Sequence, residues 1–208
     1  MSQSAGSGRR RRLIVGITGA SGAVFGVRLL DRLREFDVEI HLIVSAWGAR
    51  TITHETGYSL ADVQRLADVV HTPRDQAAQI SSGSFLTDGM IIAPCSVKTL
   101  AAIAAGYSDD LIARSADVVL KERRPLVLMV RESPLSVLHL ENMLKVARAG
   151  AVIVPPMPAF YNHPKTVEDI VDHTLTRALD QISLASEESA RWDGRLIRRT
   201  ERSEESDG

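Results

Sequence analysis

The chain has 208 residues, 25 Lys+Arg against 26 Asp+Glu, and a formal net charge of -1. That length suits one domain with a sizeable core, and the charge balance gives no reason to expect a polyanion such as nucleic acid as partner. The single Cys95 cannot close an internal disulfide, which points to a cytoplasmic setting, and no apolar run reaches the roughly 18 residues of a membrane-spanning helix. The opening MSQSAGSGRRRR is basic, but too few apolar residues follow it for a signal-peptide core.

Residues 1–12 read as a flexible N-terminal arm: Ser and Gly, then the run Arg9–Arg12, a solvated charge cluster. Residues 186–208 read as a Ser/Glu/Arg-rich tail in which only Trp192, Leu196 and Ile197 could dock. Between them lies one domain, 13–185. Leu13–Ile17 is an apolar, β-branched strand that enters a glycine-rich turn, followed by a helix over Val24–Phe36. A second strand covers Val38–Val44, and residues 47–57 are helical. Met90–Ala93 is a strand ending at Pro94, Thr99–Ala105 a helix stopping at Gly106, and Asp109–Arg123 a further helix. Leu126–Val130 is a strand, Leu135–Ala149 a helix capped by Gly150, and Ala151–Val154 a strand stopped by two prolines. The last helix begins at Thr166, with Asp169 three residues on. Continuous apolar strands alternating with amphipathic helices predict a three-layer αβα fold with a Rossmann-like or flavodoxin-like parallel sheet. Ligands of such sheets sit beyond the carboxyl ends of the strands, so the chemistry belongs just after each one.

After the first strand comes Gly19-Ala20-Ser21-Gly22. It is either a tight turn with Ser21 as N-cap, or a place where a backbone and a helix N-terminus meet a phosphate. Ser45 follows the second strand, as a cap or a ligand contact. Cys95-Ser96-Val97-Lys98-Thr99 follows the third and suits an anion, while Cys95 reads as a small buried hydrophobe rather than a nucleophile. Arg131-Glu132 follows the fourth, as a surface ion pair or as a phosphate-binding cation beside a proton carrier. Pro155–Tyr161 follows the fifth, as a rigid ligand wall or as core packing. The six histidines are scattered, with no metal-ligand spacing, and there is no G-x-S-x-G elbow.

Together, GITGASGAVFGVRLL, SSGSF, APCSVKTLAAIAAGYSDDLIARSADVVLKERRPLVLMVRESPL, HLENM and PPMPAFYNHP resemble the UbiX-type flavin prenyltransferases over roughly residues 12–194. The resemblance implies that FMN is bound and that a dimethylallyl group from dimethylallyl monophosphate is joined to N5 and C6 of the reduced flavin, without a metal. The product would serve a UbiD-type decarboxylase, and the enzyme would be a homododecamer with sites between subunits. Gly19, Ala20, Ser21, Ser45, Ser96, Val97, Lys98, Thr99 and Arg131 would hold FMN. Lys121, Tyr161 and Arg177, with Arg114 nearby, would surround the prenyl phosphate. Glu132 would move the phosphate's proton, and Ser21 with Glu55 would manage protons near N5.

That set has a physical rationale, because fixed cations and a phenol around a leaving phosphate stabilise its developing charge. Flavin and aromatic walls, Trp47 or Trp192 among them, would shield an allyl cation. Ala46-Trp47-Gly48 and Glu141-Asn142-Met143 depart from some members of the family without removing a site residue. Two other readings stand beside this one: a non-catalytic flavin carrier or accessory subunit of a decarboxylase, and a peptidyl-cysteine-type flavin decarboxylase. The latter carries a catalytic His and a PASANT-type loop where this chain has APCSVKT.

Overall fold

The computed structural model describes residues 9–184. Six strands, β1 (Arg11–Ile17), β2 (Val38–Val44), β3 (Val69–His71), β4 (Gly89–Cys95), β5 (Leu126–Val130) and β6 (Val152–Ile153), form one sheet in the order β3-β2-β1-β4-β5-β6. Every pairing is parallel. The central strands are apolar on both faces because both faces are covered. Leu13, Val15 and Ile17 of β1 enter one core with Ile91 and Ala93 of β4, while Ile14, Met90 and Ile92 enter the other. Helices α1 (Ala23–Leu33) and α7 (Val167–Asp180) cover the first face, where Arg28 grips Asp172 through Nε at 2.8 Å and Nη2 at 3.0 Å. Helices α4 (Val97–Ala105), α5 (Leu111–Lys121) and α6 (Val137–Arg148) cover the second, and α2 (Ala46–Glu55) and α3 (Leu60–Gln64) lead from β2 to β3. Strand order reverses between β1 and β4, so the ligand crevice of this fold opens at their carboxyl ends.

The expected strands and helices are present with ends shifted by up to three residues, the Thr166–Asp169 capping box starts α7, and the left-handed Gly106 ends α4. Two short elements went unread, β3 and the Ser59-capped α3. The arginine run is a correction. Arg11 and Arg12 open β1, and the run is held down by ion pairs rather than solvated as an arm. Arg9 meets Asp88 at 2.9 Å, Arg10 meets Asp37 at 3.2 Å and Asp68 at 3.1 Å, and Arg12 meets Glu39 at 3.2 Å. Arg11 donates to the Ile182 and Ser183 carbonyls beyond α7, which places the end of α7 at the amino end of the sheet. Trp192 and the 186–208 tail lie outside the described residues. Among those residues, no helix is long and apolar enough to cross a membrane.

Helix α6 is an exception to inward burial. Val146 is its one fully buried residue, while Val137 and Leu138 are 69% and 70% exposed, with Leu140 and Leu144 beside them. Part of the aliphatic content of this chain therefore faces outward.

Beneath the β2–β3 edge, His41 is buried with Nδ1 at 2.9 Å from His71 Nε2 and Nε2 at 2.9 Å from Glu39 Oε1. Burial pushes both imidazoles below their ordinary pKa, against the raising pull of Glu39 on His41 and of Asp75 on His71. The unfolded chain therefore takes up protons more readily. The stability these neutral histidines contribute is complete above their unfolded pKa of about 6.5 and is lost as pH falls through it. Urea unfolding midpoints are expected to drop between about pH 7.5 and pH 5.5 in the wild type, and to drop less in His71→Asn. A wild-type midpoint indifferent to that change would contradict neutral burial of the pair.

Candidate active site

The carboxyl ends of the central strands are tied to one another by backbone hydrogen bonds. The Ser45 amide donates to Ile17 O at 2.9 Å, the Thr18 amide to Pro94 O at 3.2 Å, and the Arg131 amide to Cys95 O at 3.1 Å. The turns carrying Gly19–Ser21, Ser45, Ser96–Thr99 and Arg131-Glu132 therefore stand side by side at one end of the sheet.

Helix α2 lies along the first of these turns. Ser45 Oγ caps it by accepting from the Gly48 amide at 3.0 Å. A side chain on Gly48 would place Cβ 2.5 Å from Ile17 O, and one on Gly19 would collide with Trp47, so glycine is what allows this approach. At its far end α2 delivers Glu55, whose Oε2 accepts from the Gly22 amide at 2.7 Å and the Ala23 amide at 2.9 Å. The N-cap of α1 is thus Gly22, at φ 99° and without a side-chain cap, and Ser21 does not fill that role. The place expected for a phosphate at the start of α1 is filled by the Glu55 carboxylate. Partial burial pushes that carboxyl up, but bonds from the Ala23 and Gly22 amides and the Ser21 hydroxyl, with the charge of Arg131, outweigh it and hold Glu55 below its ordinary pKa. Arg131 and Glu55 thereby act on each other across the crevice. Trp47 is exposed, and the Arg50 guanidinium lies 4.8 Å over its ring.

At the β4 end, Ser96 caps α4 by accepting from the Thr99 amide at 3.3 Å, and its own amide donates to Thr18 Oγ1 at 2.8 Å. The first-turn amides of Val97 and Lys98 have no partner within the helix and face the carboxyl end. Lys98 is exposed, with Nζ 3.5 Å from Asp110. Cys95 is fully buried and its thiol is pushed up to about 12 by burial, which makes it inert as a nucleophile, as the sequence suggests. Half-buried Glu132 accepts from the Ser133 amide at 2.9 Å.

The remaining candidates are not brought into this ring by one chain. Helix α5 begins beside Lys98, through Asp110, and runs about 16 Å down the sheet. Lys121, at its last residue, pairs with Glu122 against Gly83, at the end opposite Glu132. Arg114 donates to Ser81 O at 3.1 Å and pairs with Asp117 at 2.8 Å. Tyr161 packs edge-on to His173 of α7 with its hydroxyl 3.2 Å from Nε2. Arg177, one turn further toward the amino end of the sheet, pairs with Asp180 at 2.9 Å. Thr18 went unnoticed in the sequence, where one hydroxyl in a glycine-rich turn gives no signal. Among the described residues, no group of three or more His, Cys, Asp or Glu is placed to hold a metal.

The flavoprotein family model matches residues 1–179. A probable UbiX-like flavin prenyltransferase of Streptomyces sp. (strain D7) is 62% identical over 88% of this chain and 92% of its own length. The dodecameric FMN-dependent UbiX-like decarboxylase of Escherichia coli O157:H7 is 61% identical, with a TM-score of 0.86 over 88% of this chain and all of that one. AnUbiX, solved with FMN and dimethylallyl pyrophosphate, is 54% identical, with a TM-score of 0.89 over 90% of this chain and all of that one. With the strand-end ring and the reversal of strand order already in place, these matches identify the chain as a member of the flavoprotein family, among its UbiX-like flavin prenyltransferases.

Proposed function

We propose that this protein binds FMN across the β1–β4 crevice and transfers a dimethylallyl group from dimethylallyl monophosphate to the reduced flavin, making prenylated FMN for a UbiD-type decarboxylase. The observation that carries the reading is AnUbiX, which is solved with FMN and dimethylallyl pyrophosphate on the same fold at 54% identity. The residues present fit the flavin. Gly19, Ala20 and Ser21 leave the backbone open to close approach, the first-turn amides of α4 at Val97 and Lys98 offer donors, and Ser45, Ser96, Thr99 and Arg131 border the same crevice. Reduced FMN, when bound, supplies the nucleophilic N5 and C6.

The chain's own groups do the rest. Glu55, ionised by the donors around it, accepts from the Ser21 hydroxyl and so fixes that hydroxyl's orientation. Glu132 is the proton carrier for the leaving phosphate. Lys121, Arg114, Arg177 and the Tyr161 hydroxyl compensate the phosphate charge as it develops. Because Lys121 and Glu132 lie at opposite ends of one subunit, a working site needs neighbouring copies to supply the cations. The outward apolar face of α6, with Met157 and Phe160 at 67% and 68% exposure, provides surface for such contacts, and an E. coli relative is dodecameric. A homododecamer and a cytoplasmic setting belong to this proposal, the latter in keeping with the free, buried Cys95.

The same E. coli relative is described as a decarboxylase, so the experiment must separate two activities. Anaerobic incubation with reduced FMN and dimethylallyl monophosphate, followed by mass analysis of the flavin, is expected to show the gain of one dimethylallyl unit. An unmodified flavin would sink prenyl transfer, and release of CO2 from an aromatic acid by this chain alone would favour the decarboxylase. A flavin carrier would bind FMN and leave it unchanged.

The shared site makes a second expectation. Glu132→Gln alone should slow prenylation by roughly 100-fold, the scale of general acid–base help. Lys121→Ala alone should also slow it, and co-expressing the two variants should recover activity, since some mixed sites then hold both native groups. If the mixture is no faster than either variant, Lys121 does not reach the site from another copy.

A further inference from the structure

Thr18 is the last residue before the Gly19–Ser21 turn, and at 1% exposure it cannot touch a ligand. Its hydroxyl is nevertheless fully used. Oγ1 donates to Pro94 O at 2.8 Å and accepts from the Ser96 amide at 2.8 Å. On its other side the Thr18 carbonyl accepts from the Ala20 amide at 3.0 Å, which shapes the first turn. Ser96 is the N-cap of α4, with its side chain committed to the Thr99 amide at 3.3 Å and the Thr99 hydroxyl at 3.1 Å. With both its amide and its side chain engaged, Ser96 has no freedom of its own. The direction of the next two amides, Val97 and Lys98, follows from where Thr18 holds it.

Pro94 makes this contact more consequential. It has no amide to donate to a neighbouring strand, and the β4–β5 register shifts between Ile92 and Cys95. Where α4 begins, the end of β4 is therefore held by the Arg131 amide on Cys95 O and by the Thr18 amide and hydroxyl on Pro94 O, so Thr18 supplies its whole tie to β1 there. We propose that Thr18 is a positioning residue for the flavin site: its buried hydroxyl sets the distance and angle between the Gly19–Ser21 turn and the Val97–Lys98 amides that grip FMN from opposite sides of the crevice. This rests on the FMN reading above.

Two substitutions separate positioning by hydrogen bonding from plain core packing. Thr18→Val keeps the shape and removes the hydroxyl, leaving the Ser96 amide without its buried acceptor. Thr18→Ser keeps the hydroxyl and loses a methyl group. FMN titration by flavin fluorescence, well below the melting temperature, is expected to show affinity weakened about tenfold or more in Thr18→Val and held within about threefold of wild type in Thr18→Ser. A packing role would give the reverse order, with Ser the worse variant, and would overturn the proposal, as would wild-type affinity in Thr18→Val. Should Thr18→Val fail to fold, Thr18→Ala against Thr18→Ser carries the same comparison. Failure of the wild type itself to bind FMN would sink both this inference and the flavin reading, whereas equal binding by wild type and Val variant would sink this inference alone.

Discussion

The reversal of strand order between β1 and β4 is the constraint on which the rest of this molecule depends. Parallel neighbours that diverge in connection leave a gap at their carboxyl ends, and buried amides and carbonyls there need partners. Thr18 closes the gap from below with one hydroxyl used twice, and Glu55 closes it from above by taking the two leading amides of α1. Leaving the buried groups around Thr18 unpaired would cost about 1–3 kcal/mol. What remains open between them is lined by small residues, helix amides and the Arg131 charge.

A second constraint follows from the helices. Each crossover helix returns its last residues to the amino end of the sheet, so cations late in α5 and α7 cannot serve the crevice of their own subunit. Lys121 and Arg177 occupy such positions, and each is matched by a neighbouring carboxylate. The near-neutral net charge hides this division. The cations that the proposed function assigns to the phosphate are spread over outer faces, while those of the arginine run are neutralised by Asp37, Asp68, Asp88 and Glu39. In the proposed function, assembly is the step that converts this dispersed charge into a site.

The long central strands were legible because burial on both faces leaves an unbroken apolar run, and the helices between them because one face repeats at helical spacing. Three-residue β3 and five-residue α3 carry too few positions for any period to be seen. Arg9–Arg12 looked like a solvated cluster because its carboxylate partners lie roughly 25 to 80 residues away in sequence, beyond any local rule. Ser21 looked like the cap of α1, since Ser is a good N-cap, but a carboxylate arriving from α2 displaced it from that task. Glu55 itself entered only through family resemblance; nothing in HETGYSL marks it. Thr18 was invisible too, since a single hydroxyl in a glycine-rich turn carries no sign that its partners lie at the end of β4. The strand-end ring was therefore readable as positions, while the contacts that hold it shut came from residues distant in sequence.

The central claim is that FMN is gripped from both sides of the β1–β4 crevice. The most direct test is a crystal structure of the protein with FMN, read for which backbone amides lie within hydrogen-bond distance of it. The account expects contacts from both the Gly19–Ser21 turn and the Ser96–Thr99 turn, with Glu55 still on the Gly22 and Ala23 amides. Flavin seated at another edge of the sheet, or held by one of these turns alone, would contradict it.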